Sequence, residues 1–281
     1  QSSLRPPPAA LAEAHFLLGR AAFDQGDFKS SISHMAEAKT LDPQKYGEQV
    51  NVLSVLSYHK LQDVNKLKEA LETLQKENPS AVARVPDVIP AWLGLQAYGM
   101  KDLETADKYM TWATQNDQLQ NVKKVIWRNL AKVRLALKKY DRALVASNNF
   151  LKDEDQPYRR ADGMLDKASI LLGLGKYSDA RKTAEEALAL GVEGPLMASL
   201  KIVLGDISYA EKKFDEAAKH YGVTAELFVN DAELKPKALF KAAEALDKAG
   251  RKSEASQYRA RLQKEFPDWK QDDESLPPDA R

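Results

Sequence analysis

The sequence contains no cysteine, which removes disulfides, thiolate metal sites and cysteine nucleophiles in one step and fits either redox compartment. Long apolar runs are missing as well. No stretch approaches the roughly 18 residues that a membrane span requires. Charge of one sign is missing: 42 Lys and Arg stand against 41 Asp and Glu, a formal net charge of +1. A balance this even gives no nucleic-acid footprint, so no nucleic acid is expected as a partner. Histidine is scarce, and His15, His34, His59 and His220 are scattered, with no pair at metal-ligand spacing and no His-Glu-x-x-His. Gly173-Leu-Gly175-Lys176 starts like a phosphate loop, but Tyr177 follows the lysine and no strand precedes it. Carboxylates are plentiful, yet nothing places two in a shared apolar pocket. The expectation is a chain that is not an enzyme, with no catalytic residue, no metal and no cofactor.

Alternation with a period of two is also lacking, so no strand is expected. Proline is lacking from helix interiors. Apart from the two ends, Pro43, Pro79, Pro86, Pro90, Pro157, Pro195, Pro236 and Pro267 all fall between helical units or in a first helical turn, where a missing N–H costs little.

What is present is recurrence. From Lys124 to Pro157 the chain carries Trp127, Leu130 and Ala131, then Tyr140 and Ala143, then Phe150. Trp-x-x-Leu-Ala reads as the front of a helix-turn-helix unit, and Tyr-x-x-Ala opens its second helix. The same skeleton returns at intervals of about 37 residues, the signature of a repeat architecture. Units start near residues 12, 48, 87, 124, 161, 198 and 236. Gly19, Gly94, Ala131, Ala168, Gly205 and Ala243 hold one equivalent place in the first helices; Ala106, Ala143, Ala180, Ala217 and Ala255 hold the matching place in the second. Helices approach to about 8–10 Å only where the crossing carries little side chain. The second unit departs, with Val55 and Leu67 at those places. Trp127 is expected in the core, and Arg134 is expected to lay its stem along the core with its charge in water. The organisation expected is therefore an extended arm over residues 1–10, a single solenoid over 11–269, and an acidic, disordered tail over 270–281. The Ser/Pro-rich start after Gln1 suits a tether behind a removed leader, and equally an arbitrary start; both readings stay open, with export preferred.

These residues make the chain resemble the tetratricopeptide repeat family, over roughly residues 12–269. The departure is spacing, since the family repeat is 34 residues and the units here are a few residues longer, with the excess expected in joins such as Ser80 to Pro86. The resemblance implies an all-α, right-handed superhelical solenoid whose first helices line a concave groove. It implies a non-catalytic scaffold that binds a peptide or helix of another protein there, as members do in chaperone adaptors, secretion and cell-envelope assembly.

By the same resemblance, one row of each first helix faces the groove. In the first three units that row reads Phe16, Arg20, Phe23; Val52, Leu56, His59; and Ala91, Leu95, Tyr98. In the fourth it reads Val125, Arg128, Lys132, Leu135, and in the sixth and seventh it becomes Asp206, Tyr209, Glu244 and Asp247. The implied groove is apolar, then basic, then acidic. It suits a partner segment with apolar anchors followed by acidic residues, with Arg128 gripping a carboxylate bidentately and Lys132 acting as a point charge. Against this stand plainer readings. The basic run is a solvated helix face, the apolar row is core, or the groove is filled by the chain's own ends, with Asp272-Asp273-Glu274 reaching basic residues of its own or another copy by self-association. Two other functions remain open: an intracellular chaperone-type adaptor, against which the row's lack of asparagine speaks, and a substrate- or glycan-binding protein stacking ligands on Trp92, Trp112, Tyr98 and Tyr209.

Overall fold

The computed structural model describes residues 6–115, 120–227 and 231–271. Among these residues the regular elements are fourteen α-helices and one 3-10 turn. They divide into two compact units, residues 1–126 and 127–281. Before the division come α1 (Pro8–Asp24), α2 (Phe28–Leu41), α3 (Pro43–Lys60), α4 (Val64–Glu77), the 3-10 turn (Pro79–Arg84), α5 (Val88–Gly99) and α6 (Leu103–Thr114). The division falls within α7 (Gln120–Ala136). Then follow α8 (Tyr140–Leu151), α9 (Pro157–Gly173), α10 (Tyr177–Ala189), α11 (Gly194–Ala210), α12 (Phe214–Leu227), α13 (Leu234–Lys248) and α14 (Lys252–Glu265). Consecutive helices pack on each other within each unit, and α11 also touches the first helices α9 and α13 of its neighbours. This is the packing of an all-α solenoid of helix pairs.

The expected arm is shorter than its prolines suggested. Helix α1 begins at Pro8, with Pro7 as its N-cap, because proline's fixed φ and absent N–H suit a first helical position. Residues 1–5 of that arm, and 272–281 of the expected tail, lie outside the described residues. Within the described part, Trp269 packs its ring 5.6 Å from Phe240 on α13. The extra residues between the second and third pairs form the 3-10 turn, whose Ala81 is buried in the adjoining core.

Local chemistry explains where the helices start. Asp27, Asp63 and Asp102 accept hydrogen bonds from the backbone N–H of Ser30, Lys66 and Thr105, the usual satisfaction of an orphan donor at an N-terminus. The turn inside each pair passes through the left-handed region. Gly26, Gly175 and Gly250 occupy it in three pairs, while Gln62, Lys101, Lys138 and Lys212 do so at φ between 56° and 63°. Those four residues carry strain that glycine avoids.

The small-residue rule holds at the crossings. Ala131, Ala168, Ala243, Ala106, Ala143, Ala180, Ala217 and Ala255 are all buried, as are their larger substitutes Val55 and Leu67. The reason is clearest at Gly205, where a Cβ would stand 2.4 Å from Cε1 of the Tyr221 ring. Two residues sit differently from the sequence expectation. Trp127 is only half-buried, so Phe150 and Leu130, both at 1% exposure or less, are the deep side chains of their pair. Arg134 is 7% exposed, and its Nη1 donates to the Arg142 carbonyl at 3.2 Å. Its head is held inside the α7–α8 pair rather than in water.

Candidate functional site

The candidate site is the row of first-helix residues, and it differs in kind between the two units. In residues 1–126 it is apolar and half-open. Phe16, Phe23, Val52, Leu56, Leu95 and Tyr98 each keep part of their surface exposed, Ala91 is buried, and Arg20 is exposed. The cause is how each side chain is backed. Phe16 stacks on Tyr46 with centroids 4.8 Å apart, and Phe23 meets Phe28 edge-on at 5.4 Å. Val52, Leu56 and Trp92 rest on the core built by Leu67, Leu71 and Leu74 of α4, which are fully buried. His59 of α3 meets Trp92 of α5 edge-on at 5.4 Å. Burial, then the charge of Lys60, pulls the His59 imidazole below its usual pKa, which keeps this stretch uncharged at neutral pH.

In residues 127–281 the row is charged, but its charges are answered from within. Arg128 of α7 forms an ion pair with Asp162 of α9, and Lys132 lies 3.9 Å from Asp166. Arg128 thus pairs with a carboxylate of the same unit. The Arg128 guanidinium also lies 5.9 Å from the Phe150 ring centroid. On α11, Asp206 and Tyr209 are buried, at 4% and 3% exposure, rather than lining a surface. Asp206 accepts hydrogen bonds from Lys241 Nζ at 2.7 Å and from Tyr221 Oη at 2.6 Å. Glu244 is 2.7 Å from Arg259 of α14, and Asp247 pairs with the same guanidinium. Leu135 is half-buried, while Val125, which belongs to the first unit, is exposed. A tally of charges on single helices made this end acidic and the middle basic; the partners on neighbouring helices largely neutralise both.

Asp166 is the exception in its ionisation. Its side chain is 13% exposed, and Oδ2 is buried without a hydrogen bond. Burial pushes its carboxyl up to about 6, against the opposing pull of Lys132 and Arg128. The folded pKa therefore exceeds that of the unfolded chain, ~3.9. The folded state holds a proton that the unfolded state has released, so this group's contribution turns unfavourable as pH rises through about 6 and vanishes below both values. Asp166→Asn is expected to gain stability over the wild type at pH 7.5, with the gap closing toward pH 4, in urea melts across that range. A gap independent of pH would mean that Asp166 titrates as an ordinary surface carboxylate.

Of the four aromatics named for glycan stacking, Trp92, Tyr98 and Trp112 are half-buried. Tyr209 is buried, Trp92 lies T-shaped to His59, and Trp112 stacks on Tyr109 at 6.1 Å. Among the described residues no group of three or more His, Asp or Glu side chains is placed to hold a metal ion, and no helix is long and apolar enough to cross a membrane. The Lys241–Asp206–Tyr221 cluster was not legible in the sequence, since 35 residues separate Lys241 from Asp206. One signal pointed to it: both residues sit on the otherwise apolar faces of first helices.

A profile described as tetratricopeptide repeat matches residues 10–46 and 165–228, and a second profile of that description matches 237–268. No curated protein matches the chain by sequence. Among solved structures, the apo form of RapI is similar with a TM-score of 0.55 at 15% identity, covering 94% of this chain and 79% of that one. A Rap protein complexed with Competence and Sporulation Factor gives 0.54 at 15% identity, covering 93% and 77%. The apo quorum sensor NprR from B. thuringiensis gives 0.52 at 14% identity, covering 91% and 76%. At these identities the likeness is one of fold. Repeats of this kind form protein-binding scaffolds that are typically non-catalytic. The recurring small residues at the crossings, the helix pairs packed in sequence order and the matched profiles agree: the chain belongs to the tetratricopeptide repeat family.

Proposed function

We propose that the protein is a non-catalytic scaffold that holds a segment of another protein on the first-helix row of residues 1–126, seating apolar anchors there. One observation carries this reading. Phe16, Phe23, Val52, Leu56, Leu95 and Tyr98 remain half-open, although Leu67, Leu71 and Leu74 of α4 in the same unit are fully buried. The unit buries its core completely and still leaves an apolar row. Apolar area removed from water is worth roughly 25 cal/mol per Å², so a row of this kind favours a segment with aliphatic or aromatic side chains. Charge selection by Arg128 and Lys132 is the weaker part of the reading, because Asp162 and Asp166 already face them.

The test is affinity capture from the native extract, with the wild-type chain beside Leu56→Glu/Leu95→Glu and beside Lys132→Glu. Circular dichroism first establishes that all three fold alike. The expected result is a protein recovered by the wild type and by Lys132→Glu but lost with the doubly substituted row. Equal recovery by all three would sink the row as the binding face. Loss with Lys132→Glu alone would return the selection to charge.

A further inference from the structure

Within each unit, ion pairs tie one second helix to the next. Lys39 of α2 lies 2.7 Å from Glu77 of α4, and Lys108 of α6 lies 3.4 Å from Glu72 of α4. Lys68 of α4 lies 3.2 Å from Asp102, the N-cap of α6. Arg181 of α10 lies 2.8 Å from Glu216 of α12, and Arg251, the N-cap of α14, lies 2.8 Å from Asp215 of α12. Between α8 and α10 no such pair is found among the described residues. The register gives the reason. Leu144 and Asn148 of α8 stand where α4 has Lys68 and Glu72, and Lys176 and Lys182 stand where the α6 segment has Asp102 and Lys108. One join has a lysine for each carboxylate; the other has two lysines facing a leucine and an asparagine.

A third lysine departs from the pattern at the same join. Lys167 of α9 immediately precedes the small crossing residue Ala168. Leu93, Leu130, Leu204 and Ala242 hold the equivalent place and are buried. Lys167 is half-buried there. A lysine is seldom drawn into such a position without a partner. Yet neither Lys167 nor Lys176 forms an ion pair among the described residues, and Lys182 reaches only Glu186 of its own helix, at 4.0 Å. All three lysines line one cleft of about 350 Å³, together with Leu144, Asn148 and Leu171. Asp179 and Glu186 also border it, but Asp179 pairs with none of the three lysines. The volume lies in the range of small-molecule sites, which begins at roughly 300 Å³.

We propose that this cleft binds a phosphate monoester, with the dianion among Lys167, Lys176 and Lys182 and the organic part against Leu144 and Leu171. The ligand supplies the negative charge that neighbouring helices supply at the other joins. Lysine binds as a point charge, which suits a tetrahedral oxyanion; a planar carboxylate is better matched by the fork of arginine, and no arginine lines the cleft. The site belongs to residues 127–281 and the apolar row to residues 1–126, so either can fail without the other.

The probe is phenyl phosphate, titrated calorimetrically into the full-length chain at about 10 mM ionic strength, where screening is weak. Saturable binding is expected with a dissociation constant below about 1 mM, weakened by about tenfold or more in Lys167→Leu and in Lys182→Gln. Lys167→Leu restores the residue that the equivalent positions carry, so it should fold at least as well as the wild type. Lys219→Gln removes one exposed charge from α12, outside the cleft, and should bind as the wild type does. A short peptide carrying one phosphoserine, titrated in the same way, decides the source of the group: tighter binding than phenyl phosphate assigns it to a modified protein, and weaker binding to a small organic molecule. No saturable binding of either probe at about 10 mM, far above the expected constant, overturns the proposal. So does equal binding by wild type and Lys167→Leu, or a loss in Lys219→Gln as large as in Lys182→Gln, which would reduce the effect to net charge.

Discussion

Asp206→Ala should destabilise the protein by about 3–5 kcal/mol, the cost of removing one partner of a buried ion pair. Lys241 is 1% exposed and Tyr221 is 1% exposed, and both donate to Asp206. Without that carboxylate an ammonium and a phenol each lose a charged acceptor in the interior. The cost is one of desolvation left unanswered, not the worth of the bond itself. The double variant Asp206→Leu/Lys241→Met should therefore recover most of the loss, because apolar groups of similar volume need no partner. Urea melts of the single and double variants measure both. A loss below about 1 kcal/mol for Asp206→Ala would show that the cluster is solvated, and the burial described here would be wrong.

Phe150→Ala should cost about 3–5 kcal/mol, as for other large buried aromatics. Phe150 is 1% exposed on α8, with the Arg128 guanidinium near its ring and Gly163 of α9 against its edge. A Cβ on Gly163 would stand 2.4 Å from Phe150 Cε1. Gly163→Ala alone should therefore cost about 1–3 kcal/mol through overpacking. In the Phe150→Ala background the added methyl enters the vacated space, so the double variant should be more stable than the sum of the single losses predicts. Simple additivity would mean that the two residues do not share the space described.

The helix pairs were legible before any coordinates, and the reason is local. Small residues at Gly94, Ala131, Ala168 and Gly205 and prolines kept to the joins each mark the helices within a few residues of themselves. A repeat multiplies such signals, so one ambiguous copy, as at Val55 and Leu67, is corrected by the others. Even so, the reading from local signals placed the start of the first helix too late, since Pro8 opens a helix rather than forbidding one. It also overrated Trp127, whose indole is only half covered.

The candidate site was legible as a row and illegible as a field. Spacing alone puts Arg128 and Lys132 on one face of α7, because a helix repeats every 3.6 residues. It says nothing of Asp162 and Asp166, which come from a different helix and face them. The same holds for Asp206 with Lys241 and for Glu244 with Arg259. Exposure is equally non-local. Leu18 and Leu93 occupy the same repeat position, yet one is open and the other closed, because only Leu93 has a second helix packed over it. The fold class and the helix pairs, then, follow from the order of residues along the chain, since helix formation and close crossing depend on neighbours in sequence. Which charges are spent and which apolar faces stay open depends on what each helix meets in space, and only the packed structure supplies that.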